Sequence, residues 1–383
     1  MAPVTTAART APLMVGFEGK QVPPWLSRWL REGTATGVVL FSRNVEGPRQ
    51  VRELCREIRA AAGRGRPSPL IAVDQEGGRV RRLTAPGFTR FPPARCYSTL
   101  CCHAGRAAEA AAGAMASELR AVGVDINFAP VLDVDSNPDN PVIGDRALSA
   151  DPEQAALLGT ACFRATLSRG VIPVGKHFPG HGATDTDSHE ELPVVRSSRK
   201  TLLSRDLLPF ERAVRAGIPA LMTAHVLYPA LDREFPATFS RKILTGLLRE
   251  RLRFRGVLFS DALEMGAVAA RYGIGEAAVR AVAAGCDVPL VCRGEDARQA
   301  AAEALARAAR DDRTFRKAAA AAIRRMGRLR EILARAREPG RPRASLRLVG
   351  SRKHRELASL LSERWENTER TSPGGRSGSI GED

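Results

Sequence analysis

Eight short apolar runs recur along the chain, and nearly all of them are separated by segments with helical spacing. The runs cover residues 13–17, 37–41, 69–74, 124–134, 171–175, 218–225, 256–260 and 287–292. Continuous apolar strands that alternate with helices predict an α/β fold whose parallel sheet is buried on both faces. Eight such units favour a closed (β/α)8 TIM-type barrel. An open Rossmann sheet would carry a G-x-G-x-x-G motif after its first strand, and this chain has none there.

The segments between the runs have the spacing of amphipathic helices over 25–31, 48–62, 104–121, 152–169, 206–216, 241–252 and 275–284, and residues 297–336 predict one or two further helices. We therefore assign residues 1–338 to a single barrel domain. Residues 339–383 form a basic, low-complexity tail that we expect to be partly disordered, with one short helix over 352–365. We assign this tail no catalytic role.

The net charge of +17 raises the question of a nucleic-acid partner. Residues 301–383 hold 20 Lys or Arg and 11 Asp or Glu, so more than half of the excess lies beyond the region that is rich in motifs. Aromatic residues make up 5% of the chain and are not interleaved with basic ones, as a base-stacking surface would require. The distribution favours an Arg-rich solvated surface and argues against nucleic-acid binding.

The cysteine pattern and the N-terminus both bear on the compartment. Seven irregularly spaced cysteines include the adjacent pair Cys101 and Cys102 but no C-x-x-C motif, which predicts reduced thiols. No run of about 18 apolar residues occurs, so a transmembrane helix is not expected. The first residues lack a basic start followed by a long apolar stretch. We therefore expect no secretory signal and a cytoplasmic protein.

One stretch, VIPVGKHFPGHGATDTDSHEELP over 171–193, has an unusual density of reactive side chains. It begins as a buried strand and breaks into a loop at Pro179 and Gly180. Three of the six histidines lie here among a lysine and two aspartates: His177, His181 and His189 with Lys176, Asp185 and Asp187. Such a composition is unsuited to a core and indicates a functional site.

The barrel hypothesis gathers further candidates, because functional groups of such barrels follow the carboxyl ends of the strands. Polar groups follow five consecutive runs: Asp74, the loop 133–146, Lys176 with His177, His225 and Asp261. Aspartate and arginine side chains such as Asp74, Arg82 and Arg146 can bind sugar hydroxyls through paired hydrogen bonds. A surface salt bridge is the alternative for each of these three residues.

Asp261 ends an apolar strand, so its carboxylate is expected at the mouth of the barrel, although a helix N-cap would explain it as well. Asp187 and His189 share one face of an extended loop, which would let the carboxylate orient the imidazole for proton transfer. A surface turn explains that spacing equally well. His177 and His181 have the i, i+4 spacing of two zinc ligands on a helix, but Pro179 excludes a helix there, so we expect no metal site.

Seven stretches together resemble a known family. In chain order they are VDQEGGRVRR (73–82), NFAPVLDV (127–134), NPVIGDR (140–146), GKHFPGHG (175–182), DSHEELP (187–193), LMTAHVLYP (221–229) and GVLFSDALEM (256–265). They closely resemble the β-N-acetylhexosaminidases of glycoside hydrolase family 3, in particular the bacterial single-domain type that acts in peptidoglycan recycling. The chain departs from the family pattern at two places. One is the sequence ALSADP (147–152), and the other is Ala262, where the family often has a second acid.

The resemblance implies roles for specific residues. Asp261 would be the nucleophile, His189 the general acid/base and Asp187 its partner. The sugar-binding positions would be Asp74, Arg82, Arg146, Lys176 and His177. The implied reaction is a two-step retaining hydrolysis of terminal β-linked N-acetylglucosamine (GlcNAc), with peptidoglycan fragments as substrate and neither metal nor organic cofactor. We expect a monomer.

Four other functions stay open at this point. A family 3 β-glucosidase would resemble the barrel but usually takes its acid/base from a second domain. A phosphorylase would use the same glycosyl-enzyme with phosphate as acceptor. A Schiff-base enzyme would use Lys176 as nucleophile. A degenerate barrel that only binds carbohydrate or nucleic acid would dispense with the acid/base groups.

Overall fold

The computed structural model describes residues 10–185, 192–338 and 344–371, and its centre is a closed parallel barrel of eight strands. In chain order these strands are β1 (Met14–Val15), β2 (Gly37–Leu40), β3 (Leu70–Val73), β6 (Ile126–Asn127), β7 (Ile172–Phe178), β8 (Ala220–Thr223), β9 (Val257–Ala262) and β10 (Val288–Val291). A small antiparallel hairpin, β4 (Gln75–Gly77) and β5 (Val80–Arg81), follows β3. Each predicted run overlaps one barrel strand, although β7 and β9 continue beyond the predicted ends at 175 and 260, and the predicted (β/α)8 fold is confirmed.

The strands are short and apolar because their side chains are buried on both faces. One set points into the barrel, where Val39, Ala72 and Val174 belong to a compact cluster. The alternate set, such as Val38 and Ile71, packs outward under the helices. This alternation follows from the two-residue repeat of a strand. The barrel interior is therefore a packed core, and only the strand ends are free to form a site.

Helices surround the barrel and follow the predicted segments closely. They are α1 (Pro24–Glu32), α2 (Pro48–Ala61), α3 (Ala104–Val122), α4 (Pro152–Ser168), α5 (Arg199–Thr201), α6 (Leu208–Arg215), α7 (Gly266–Ala269), α8 (Ile274–Ala284), α9 (Glu295–Asp311), α10 (Arg313–Ala336) and α11 (Arg352–Thr371). Two segments are π-helical, Leu202–Asp206 and Lys242–Arg251, and Ala94–His103 is a kinked 3₁₀ segment. None of the described helices is both long and apolar enough to cross a membrane.

The predicted helical region 297–336 is divided into α9 and α10 at Asp312. This residue is extended, and its carboxylate accepts hydrogen bonds from the backbone N–H groups of Thr314 and Phe315. It is thus an N-cap that starts a new helix. Helix α10 then covers the amino end of the barrel, since Met326 and Leu329 belong to the cluster of interior side chains. The opposite, carboxyl end stays open.

The C-terminal helix α11 packs on α3 and on the segment Ala94–His103. Buried Glu118 of α3 holds it: the Glu118 carboxylate accepts hydrogen bonds from the Gly350 amide and from Nδ1 of His354. Ala358 and Leu361 are buried in the same contact. The helix expected over 352–365 therefore lies against the barrel domain, whereas residues 339–343 and 372–383 are outside the described residues. The domain boundary at 338/339 stays a prediction.

Candidate active site

The carboxyl ends of the strands surround a cavity of about 390 Å³. Six predicted site residues line it together: Asp74, Arg82, Arg146, Lys176, His177 and Asp261. They lie at the ends of four barrel strands or in the segments that follow these strands. They are up to 187 positions apart in the chain. The predicted catalytic pair Asp187 and His189 lies outside the described residues. The preceding described residues lie close to the cavity, because Thr184 is hydrogen bonded to His181, which lines the wall.

A buried ionic cluster forms one wall of the cavity. Lys176 Nζ lies 2.6 Å from Asp74 Oδ1 and 2.6 Å from Glu76 Oε1. Arg146 donates from Nε and Nη2 to the two oxygens of Glu76, both at 2.9 Å. Burial alone would raise the pKa of Glu76, but Arg146 and Lys176 hold it far below its usual range. Glu76 thus fixes both cations in position, with Asp74 at the cavity edge.

The geometry argues against the Schiff-base alternative. A nucleophilic lysine needs a depressed pKa so that its amine is neutral. Burial lowers the pKa of Lys176, but the carboxylates of Asp74 and Glu76 outweigh burial and raise the pKa above its ordinary value. Lys176 is therefore a fixed ammonium, suited to donating hydrogen bonds to hydroxyl groups.

A second cluster, built around Asp133, orients His177. Asp133 is fully buried and accepts from Nδ1 of His177 at 2.7 Å and from the backbone N–H of His181 at 2.7 Å. Burial would raise the pKa of Asp133, yet the attraction and hydrogen bonding of His177 lower it. With Nδ1 committed to Asp133, the opposite nitrogen Nε2 lies 4.0 Å from Asp261 Oδ2.

His181 is neutral in this cluster, because burial and the neighbouring His177 lower its pKa to about 4. Its ring meets that of His177 edge to face, with centroids 5.7 Å apart. Within the ranges that the structure describes, no group of three His, Cys, Asp or Glu side chains is arranged to hold a metal ion.

Asp261 lies at the carboxyl end of β9, with 22% of its side chain exposed to the cavity. Burial raises the pKa of its carboxyl, but His177, His225 and a hydrogen bond from the Ala262 amide outweigh this and lower it. The carboxylate is thus ionised at neutral pH. It does not cap the next helix, because α7 starts at Gly266 and the residue before it is Met265. The N-cap interpretation of Asp261 is therefore wrong.

His225, the group that follows the sixth run, lies below this carboxylate rather than on the cavity wall. Its Nε2 is 3.0 Å from the Ala262 carbonyl, and its Nδ1 is 2.8 Å from the Thr238 hydroxyl. Both ring nitrogens are therefore engaged within the protein, and burial lowers the pKa of His225. These contacts fix the end of β9, so His225 supports Asp261.

Arg82 reaches the cavity from strand β5's side, where its guanidinium lies 5.8 Å from the Phe41 ring. Its Nε is buried and has no hydrogen-bond partner among the residues that the structure describes. Because Arg82 lines the cavity, its guanidinium can donate a hydrogen bond to an oxygen of a bound ligand.

The comparisons with known proteins agree with this geometry. Residues 18–329 match the model of the glycosyl hydrolase family 3 N-terminal domain. A β-hexosaminidase of Pseudomonas aeruginosa strain PAO1 is 46% identical over 281 residues, which are 73% of this chain and 81% of that protein. The chain belongs to glycosyl hydrolase family 3. The resemblance and the enzyme class predicted from the sequence, β-N-acetylhexosaminidase, are confirmed.

Two solved structures of family 3 share the fold. A β-N-acetylglucosaminidase from a Paenibacillus species superposes with a TM-score of 0.86 at 36% identity, over 95% of this chain and 69% of that one. NagZ from Neisseria gonorrhoeae, in complex with N-trifluoroacetyl-D-glucosamine, gives a TM-score of 0.72 at 31% identity, over 93% of this chain and 98% of that one. The superpositions with these two structures thus each cover more than nine-tenths of this chain.

Proposed function

We propose that this family 3 enzyme is an exo-β-N-acetylglucosaminidase that removes terminal β-linked GlcNAc with retention of configuration. The observation that carries the proposal is the ionised Asp261 carboxylate, which faces a closed-ended cavity whose opposite wall consists of hydrogen-bond donors. A cavity of about 390 Å³ is at the small end of ligand sites and suits a single sugar ring. The ring is held by hydroxyl contacts to Asp74, Arg82, Arg146, Lys176 and His177.

The reaction has two steps. Asp261 attacks the anomeric carbon while His189 donates a proton to the departing glycosidic oxygen, which gives a covalent glycosyl ester. His189 then removes a proton from water, the water oxygen attacks the anomeric carbon, and the ester bond to Asp261 breaks. Asp187 orients the imidazole throughout. Because a neutral imidazole does not repel the Asp261 charge and titrates near neutral pH, it suits both roles.

We further propose that the natural substrates are GlcNAc-containing peptidoglycan fragments (muropeptides), encountered in the cytoplasm by a monomeric enzyme. Support comes from the relatives, which are named β-hexosaminidase or β-N-acetylglucosaminidase, and from the N-acyl glucosamine bound to the Neisseria protein. The open end of the barrel leaves room for an aglycone beyond the cavity.

The test compares an aryl N-acetyl-β-glucosaminide with the matching β-glucoside, for the wild type and Asp261→Ala. We expect efficient turnover of the first substrate only, and its loss in the variant. Preference for the β-glucoside would identify a β-glucosidase instead. A rate that depends on added phosphate, with sugar phosphate as product, would identify a phosphorylase.

A further inference from the structure

The wall opposite the Lys176 cluster carries a carboxylate that the proposed mechanism does not use. Glu264 follows β9 by two residues and lines the same cavity as Asp261. Its Oε1 accepts a hydrogen bond from the backbone N–H of Cys292 at 2.8 Å. Its Oε2 is buried and has no hydrogen-bond partner among the residues that the structure describes. A buried carboxylate oxygen without a donor costs roughly 1–3 kcal/mol, so its retention calls for an explanation.

The neighbouring cation Arg43 does not supply this donor. Arg43 donates to the carbonyl oxygens of Phe17 at 3.0 Å and Cys292 at 2.7 Å, and it pairs with Glu18 at 3.0 Å. Its guanidinium also lies 4.5 Å from the Phe41 ring, which fixes its plane. Arg43 is therefore committed to these other partners.

The electrostatics agree with an acceptor that awaits a partner. Burial and, more weakly, the nearby Asp261 raise the pKa of Glu264 to about 6, against the opposing effect of backbone N–H groups including those of Cys292 and Arg293. The carboxyl is therefore mostly ionised at pH 7. In that state it is an acceptor only, and a neutral hydroxyl is the donor that a sugar brings.

We propose that Glu264, which lines the cavity, is a specificity-determining residue whose carboxylate accepts a hydrogen bond from a hydroxyl group of the sugar that Asp261 attacks. The inference rests on the proposed function. Glu264 stands on the β9–β10 side of the cavity, whereas Lys176, Arg146 and His177 approach from the β3–β7 side, so the two walls hold opposite edges of the ring. A site that leaves a buried charge unpaired rejects a sugar that lacks the matching hydroxyl.

A different role for the same carboxylate would be that of the acid/base, since retaining glycosidases commonly use two carboxyl groups with one pKa raised. The two roles differ in the readout. An acid catalyst matters most for poor leaving groups, whereas a hydroxyl-binding residue matters for the sugar ring and is indifferent to the leaving group.

The experiment is a substrate–variant cycle with Glu264→Gln, which keeps an oxygen for the Cys292 amide but replaces the other oxygen by a donor. The substrates are an aryl N-acetyl-β-glucosaminide and its 3-deoxy, 4-deoxy and 6-deoxy analogues. On the parent glycoside, we expect kcat/KM of the variant to be roughly 10–100-fold below that of the wild type. For the variant, removing one particular hydroxyl from the substrate should then lower kcat/KM almost no further. The melting temperature should be unchanged. Glu276→Gln, on the exposed start of α8, serves as the matched control and should behave as the wild type.

Three results would overturn the inference. Equal losses on all four substrates with a lower melting temperature would show a structural role for Glu264. Kinetics equal to those of the wild type would show no role, and a loss that grows with the leaving-group pKa would show an acid catalyst. If Glu264→Gln does not fold, Glu264→Asp, which withdraws the charge by one methylene, is tested by the same criteria. Failure of the wild type to cleave any GlcNAc glycoside would instead overturn the proposed function and this inference with it.

Discussion

The two ends of the barrel differ in their carboxylates: the closed end pairs them with arginine, whereas the open end has both paired carboxylates, such as Glu76, and carboxylates that face the cavity. At the amino end, Asp125 accepts from Arg59 at 2.8 Å and Arg337 at 2.7 Å, and its other oxygen accepts from the Ile71 amide. Asp287, before β10, is held in the same way by Arg249 and Arg325 at 2.6 Å each and by the Leu258 amide. At the carboxyl end, neither Asp261 nor Glu264 is paired with an arginine of the described residues.

The difference shows how position along a strand decides the role of a carboxylate. Asp125 and Asp287 directly precede strands, so they lie on the closed end under α10, where every oxygen can be paired. Asp74 and Asp261 come at the ends of strands and face the cavity. The first pair can only stabilise the fold, whereas the second remains available to a ligand. Substituting one carboxylate of each set separately tests this division.

The largest effect is expected for Asp261→Ala. Loss of the nucleophile should lower kcat/KM on an aryl N-acetyl-β-glucosaminide by at least about 10⁴-fold, while the melting temperature falls only slightly, because the attractions lost are those of one partly exposed carboxylate. Added azide should restore part of the release of the aryl group and give the α-glycosyl azide, since azide enters from the vacated side. A variant that unfolds, or a rate insensitive to azide, would place Asp261 with the structural carboxylates.

Asp287→Ala is the converse change at the closed end. It leaves Arg249 and Arg325 buried without their shared partner, so the free energy of unfolding should fall by about 3–5 kcal/mol. Denaturant titration measures this loss, and kcat per folded molecule should not change. As a control, Glu303→Ala breaks an exposed pair with Arg307 and should barely affect the titration. A strong loss of kcat with normal stability would contradict the division between the ends.

His189→Ala tests the partner that the proposed mechanism requires at the open end. The variant should lose about 10²–10³-fold on alkyl glycosides, whose leaving groups need a proton, and far less on activated aryl glycosides. A Brønsted plot of kcat/KM against the leaving-group pKa gives the slope directly. Equal loss on both substrate types would remove His189 from the acid role.

The smallest expected effect concerns Glu264 and the pH dependence of stability. The unfolded chain releases the Glu264 proton near the ordinary value of 4.5 and the folded chain near 6, so between these values the folded state binds more protons. The wild type should therefore lose stability relative to Glu264→Gln as the pH rises from 4 to 7, by roughly 2 kcal/mol. Denaturant titrations of both proteins at several pH values measure the difference. Parallel pH curves would show that Glu264 is not buried as described.

Much of this architecture was predictable from the sequence. The eight apolar runs predicted the barrel, because continuous burial of a parallel strand leaves a direct trace in composition. The rule that groups after strand ends share one opening brought together Asp74, Lys176 and Asp261, and these residues line one cavity. The roles assigned to them stay predictions until the kinetic tests above.

Two functional carboxylates were missed, for reasons that are physical. Glu76 follows a strand and was not among the predicted site residues, since a glutamate is seldom fully buried and its partner Arg146 is 70 positions away. Asp133 lay inside the apolar run NFAPVLDV, where its burial depends on His177, 44 positions later. Two signals could have revealed them. Asp133 is a charged residue within an apolar run, and Glu76 comes two residues after an aspartate that ends a strand.

The central claim, that Asp261 forms the glycosyl-enzyme in this cavity, is tested most directly by covalent trapping. A 5-fluoro N-acetylglucosaminyl fluoride should glycosylate the nucleophile, with loss of fluoride from the anomeric carbon, faster than the adduct is hydrolysed, and mass spectrometry of the digested enzyme locates the label. The account predicts one glycosyl unit on the peptide that contains Asp261, with β-configured product in turnover by NMR. A label on Glu264, or no label together with an inverted product, would contradict it.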